Sequence, residues 1–95
     1  MVNVAVPPDT MLPDAPYWID QQGDTWMGLP DGSFVMVGYQ TGRVRWIGTE
    51  PATLSGMKLA GIRLGQPITY TQAMVTILLK VISRFEGAMR SANLI

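Results

Sequence analysis

The stretch that decides the fold is residues 69–92, TYTQAMVTILLKVISRFEGAMRSA. Thr69-Tyr70-Thr71-Gln72 fits a capping box, in which an N-cap hydroxyl meets the backbone three residues on and a Gln side chain reaches back. Pro67 stands just upstream and keeps an earlier helical turn from running in. From Tyr70 to about Ser91 only Gly87 opposes helix, which predicts a helix roughly 33 Å long. Met74, Leu78, Val81, Phe85, Ala88 and Ala92 recur at alternating steps of four and three, a seam suited to packing on a sheet. Val75, Ile82 and Met89 widen it. Thr76, Lys80, Ser83, Gly87 and Arg90 fall on the opposite side.

The first half of this helix, Ala73–Ile82, is apolar over more than one face. Ile77 and Leu79 lie about 100° to either side of Leu78, so the apolar arc spans about 200°, roughly twice what one packed face needs. Leaving either residue in water forgoes about 1.5–3 kcal/mol. One small sheet is not expected to cover both flanks. A second surface, from another copy or from a different protein, is expected to meet Ile77 and Leu79.

Upstream, the period changes from helical to alternating. Tyr17, Trp18 and Ile19 form an apolar cluster, and from Thr25 to Gly48 the pattern is that of a β-meander. Strands are expected at Trp26–Leu29, Ser33–Tyr39 and Arg43–Gly48, with turns at Pro30-Asp31-Gly32 and Thr41-Gly42. Phe34 and Met36 take one face and Val35, Val37 and Tyr39 the other; Val44 and Trp46 oppose Arg43 and Arg45. Leu54–Leu64 reads as a strand with a bulge near Gly61, since Gly56, Gly61 and Gly65 disfavour a stable helix. Residues 1–16 hold four of the seven prolines, so they are expected to form an extended arm. Val2, Val4 and Val6 alternate as in a short edge strand. With Pro7 and Pro8 they make an arm suited to lying across a neighbouring subunit.

The 95 residues make one domain, with 47% apolar and only 15% charged residues. Such a chain is globular, and its low charge favours burying some surface against another molecule. Asp9, Asp14, Asp20, Asp24 and Asp31 precede the first basic residue, Arg43. From there seven Lys and Arg stand against Glu50 and Glu86. Cys and His are absent, which removes disulfide frameworks, the usual zinc sites and His-dependent triads. Gly56 and Gly61 have the glycine spacing of a phosphate loop, but Ile62-Arg63 stand where Lys and a hydroxyl are required. Asp20, Asp24 and Asp31 occupy turns, where Asp serves local backbone hydrogen bonds. Trp46 faces away from Arg43 and Arg45, and the net charge is zero, so nucleic-acid binding is not expected. No cofactor is expected, nor a leader peptide, and no apolar run approaches the roughly 20 residues of a membrane span.

These readings converge on an α+β fold with one domain. An extended arm (1–16) precedes an antiparallel β-meander of three to five strands (17–66), packed by one long C-terminal amphipathic helix (67–95). The expected role is a non-catalytic assembly subunit making protein–protein contacts, such as a small part of a phage head, connector or tail, soluble in the cytoplasm or held in a virion. The competing role is a small protein-binding regulator or inhibitor. The contacts are assigned to Met74, Ile77, Leu78, Leu79, Val81 and Phe85 of the helix, and to Val4, Val6, Pro7 and Pro8 of the arm.

Overall fold

Alternation and turn chemistry build the sheet. The computed structural model describes residues 6–93. Four strands, β1 (Tyr17–Ile19), β2 (Thr25–Gly28), β3 (Phe34–Gln40) and β4 (Arg43–Trp46), form an antiparallel meander in chain order. Thr41 and Gly42 join β3 to β4 with φ of 53° and 85°, the left-handed pair whose twist matches a tight hairpin. Between β2 and β3, Leu29 N–H donates to Ser33 O (2.8 Å), and the Asp31 carboxylate accepts from Ser33 N–H (2.9 Å).

The register decides which side chains meet. Tyr17, Met27 and Val35 align across the sheet, as do Ile19, Thr25, Val37 and Trp46. By strand alternation these share one face, and Trp18, Trp26 and Met36 the other. A helix, α2 (Tyr70–Ser91), packs on the first face. The core there consists of Tyr17, Met27, Val35, Val37 and Trp46 from the sheet with Ala73 and Ile77 from α2. The capping box forms as expected: Thr69 Oγ1 accepts from Gln72 N–H (3.1 Å) and Gln72 Oε1 from Thr69 N–H (2.9 Å). At the far end Asn93 takes φ 59°, a left-handed cap.

Tyr17 is the centre of this core. Its hydroxyl donates to Leu12 O (2.8 Å) and approaches Met27 Sδ (3.1 Å), and its ring meets Tyr70 edge-on at 5.9 Å. Burial, with Tyr70 beside it, pushes the phenol up to about 12. It therefore stays a protonated donor at any physiological pH.

The proline-rich segment packs on its own chain. The Asp9 carboxylate accepts from Trp46 N–H (2.9 Å) and pairs with Arg43, while the Trp46 indole donates to Thr10 O (2.8 Å). Val6, Met11, Leu12 and Ala15 pack against the core. The expectation of an arm laid across a neighbour is thus corrected for residues 6–16. Its Asp9 side chain takes the outward Trp46 N–H at the β4 edge of its own sheet. Val2 and Val4 lie outside the described residues.

Leu54–Leu64 is also corrected. It is no bulged strand: Leu54–Leu59 forms a short helix, α1, whose N-cap Thr53 accepts from Gly56 N–H (3.0 Å). Gly61, at φ 77°, ends the turn that follows. Gly56 sits in its first turn, where its N–H meets the Thr53 cap, Gly61 follows the helix, and Met57, 1% exposed, anchors it. The chain enters from Ala52, bridged to Phe34, and leaves at Leu64, bridged to Asp20 beyond β1. It must therefore cross the sheet. Met57 is buried outside the α2-side core, which places the crossing on the opposite face.

Asp20 holds the β1–β2 connection. Burial opposes its charge, but N–H donors from Trp26 (2.9 Å), Asp24 (3.0 Å) and Gln22 (2.8 Å) outweigh that, and Lys80 adds to them. The net result is a carboxyl held below its ordinary value. A depressed folded pKa contributes stability that is full above the unfolded value and is lost as pH falls through the folded one. Asp20→Ala is expected to cost about 2–3 kcal/mol in urea unfolding at pH 7, because the buried indole N–H loses its acceptor. It should also flatten the loss of stability below pH ~4.

Candidate functional site

The outward face of α2 is the candidate site. A helix on a sheet buries one stripe, and here that stripe is Ala73 and Ile77, flanked by half-buried Tyr70, Met74 and Val81. Ala73, fully buried, has the small side chain that lets the helix backbone approach the sheet. Lys80 fixes the rotation. Its amine donates to Gly23 O (2.9 Å) and stands 3.5 Å from the Asp24 carboxylate. A residue whose charge marks the solvent side in the sequence thus faces its own β1–β2 loop.

This rotation moves the expected seam. Leu78 and Phe85, placed by spacing in the sheet-facing stripe, are 44% and 64% exposed. Ile77, expected on one uncovered flank with Leu79 on the other, is 4% exposed and belongs to the core. Leu79 does stand in solvent, at 58%. Met74 and Val81 are half-buried at the border of the two faces, Val6 packs on the core, Pro7 and Pro8 are exposed, and Val4 lies outside the described residues.

Seen from outside, the apolar residues are ordered, all of them exposed except half-buried Met89. Val75, Leu78, Ile82, Phe85 and Met89 follow steps of three, four, three and four, the spacing of a coiled-coil seam. Together with Leu79 they fit within an arc of about 120°, with Ala73 and Ile77 about 180° and 140° round from Ile82. The helix therefore carries two apolar stripes on opposite sides, one buried and one bare. Counted from the seam at Met74, Val75, Ile82 and Met89 only widen the inward stripe. The step pattern starting at Val75 was the available signal for a second stripe.

The second half of α2 is supported by little else. From residue 82 to residue 93 no side chain is buried, and only Met89 is half-buried. This half extends the molecule, which measures 58 × 26 × 22 Å. A lone helical segment of fewer than about 12–15 residues is marginal in water. Gly87 has open space where a Cβ would stand. On the opposite face of the sheet, α1 adds Leu54 and Leu59, 48% and 90% exposed. The strand reading of that segment gave no means of finding Leu59.

Polar chemistry offers less. β3 runs on to Gln40 after its last pairing with β2, Thr25 with Val37. Beside it lies an open groove of about 210 Å³ lined by Thr25, Gly38, Ile77, Lys80 and Arg84 among others. Lys80 is engaged by Gly23 and Asp24, while Thr25 Oγ1 is buried without a hydrogen-bond partner. Among the described residues no three acidic side chains come close enough to hold a metal ion, and no helix is long and apolar enough to cross a membrane. Asp9 is held below its ordinary carboxylate value, chiefly by the Trp46 N–H and then by Arg43 and Arg45 against some desolvation. It closes a sheet edge. Comparisons with protein-family models, with curated proteins and with solved structures find no match.

The two neighbouring positions 77 and 79 should behave oppositely. Ile77→Lys puts a charge in the core and is expected to cost at least about 3 kcal/mol in urea unfolding. Leu79→Lys, measured at high dilution, should stay within about 0.5 kcal/mol of wild type.

Proposed function

We propose that this chain is a non-catalytic assembly subunit whose contact with other protein is made through the outward face of α2. The observation that carries the reading is the bare stripe from Val75 to Phe85, opposite the face that the fold has already used. Exposed apolar residues scattered singly need no explanation, whereas a contiguous rimmed stripe marks an interaction surface.

The edges of the sheet support the same reading. Outside β1, Tyr17 and Ile68 exchange N–H···O bonds (3.2 and 2.7 Å), and Gly65 N–H donates to Ile19 O (3.1 Å). Outside β4, Asp9 occupies the Trp46 N–H. Association by strand addition is thereby discouraged along β1 and at the Trp46 end of β4, and the outward face of α2 carries five of the exposed large apolar side chains. Ordered particles such as a phage head, connector or tail use small subunits of this kind, and we place the chain in that class.

The test compares wild type with the double variant Leu78→Glu/Phe85→Glu by static light scattering and negative-stain microscopy. Wild type should exceed the 10.4 kDa of a single chain and form uniform rings, tubes or discrete oligomers. The variant should fold, by its circular dichroism, yet remain single. Wild type that stays at 10.4 kDa up to the highest soluble concentration contradicts assembly by this chain alone.

A further inference from the structure

We infer that the occupant of the outward face of α2 is a second copy of this chain, paired helix to helix in parallel and in register. The inference rests on the preceding proposal that this face makes the contact, and it names the partner and its orientation.

Sequence order along the seam carries the argument. The repeating steps put Val75, Ile82 and Met89 at one class of seam position and Leu78 and Phe85 at the other. Val75 and Ile82 in the first class with Leu78 in the second are, for helices that run parallel, the choice that favours two strands, and Met89 and Phe85 depart from it. In that register each seam residue meets its own counterpart, so Phe85 packs on Phe85 and Ile82 on Ile82. Flanking charge does not oppose it. Glu86 borders the seam opposite Val81 of the partner subunit, so no like charges face each other there.

Area and shape agree. The five most exposed apolar side chains of α2, from Val75 to Phe85, present roughly 500 Å² per copy, hence at most roughly 1,000 Å² for a symmetric pair, the floor for a specific interface. Because the sheet packs about 140–180° round the helix from the seam, the two folded bodies stand on the outside of the pair and do not collide. The pairing also supplies what the projecting half of each α2 lacks, a surface on which to be a stable helix.

The absence of Cys in the chain makes cross-linking unambiguous. Thr71 and Ala92 extend the seam at either end by the same steps, whereas Ser83 lies outside it. Single variants Thr71→Cys, Ser83→Cys and Ala92→Cys of the full chain are oxidised gently at low micromolar concentration, alone and in pairwise mixtures. Parallel pairing predicts that Ala92→Cys and Thr71→Cys each link to themselves at least about tenfold faster than Ser83→Cys, because the seam holds their Cβ atoms within disulfide reach. If Ala92→Cys links to Thr71→Cys but not to itself, the helices run in opposite directions. That result overturns the inference and leaves the outward face as the contact. If neither links faster than Ser83→Cys, the inference falls. Light scattering on the same samples then separates the cases. A larger mass locates self-contact off the seam, and a mass of 10.4 kDa removes self-pairing altogether.

Discussion

The contact of Ala73 and Ile77 with Tyr17, Val37 and their neighbours fixes the direction of every other side chain on α2. A helix gives a sheet one stripe, and the 100° step between residues then allots the remaining positions without further choice. With Ala73 pressed on the sheet and Lys80 held by the β1–β2 loop, Leu78, Ile82 and Phe85 have only the outside left. The bare stripe is therefore a consequence of how the core is satisfied. Turning the helix to bury Leu78 would expose Ile77 and pull Lys80 from Gly23 and Asp24. It would exchange one uncovered stripe for another.

The rest of the chain closes the alternatives. The strand-like segment 64–68 covers the outer edge of β1, Asp9 takes the outward Trp46 N–H of β4, and α1 crosses the face that α2 leaves free. Asp9 and Asp20 are the polar pins of this arrangement. Each carboxylate accepts from backbone or indole N–H groups, which with the nearby Arg43 and Arg45 for Asp9 and Lys80 for Asp20 holds it below its ordinary value. What stands open on the outward side of α2 is an apolar stripe.

Much of the fold was legible because its signals were local. The capping box at Thr69 and Gln72, the hairpin at Thr41-Gly42 and the alternation of Val35, Val37, Val44 and Trp46 each act over a few residues, and each appears where the spacing puts it. The failures were those in which a distant partner decides. Gly56 and Gly61 look like helix breakers until Thr53 caps the turn and Met57 finds a burial site across the sheet. The prolines of residues 7–16 look like a free arm until Asp9 meets Trp46, 37 residues away. Lys80 looks like a solvent marker until Gly23, 57 residues away, takes its amine. That one misleading charge turned the expected seam and placed Ile77 on the wrong face. The width of the apolar arc, by contrast, was readable, since no rotation of α2 can hide all of it.

The central claim is that α2 serves its own core with one face and another copy with the other. Hydrogen exchange measured across a range of protein concentrations tests it directly. The account predicts that amides of residues 83–91 become more protected as concentration rises, because their helix is completed by pairing. Amides of β2 and β3, whose contacts lie within the chain, should not change. Protection in residues 83–91 that is independent of concentration would contradict it, as would a concentration-dependent gain confined to the sheet.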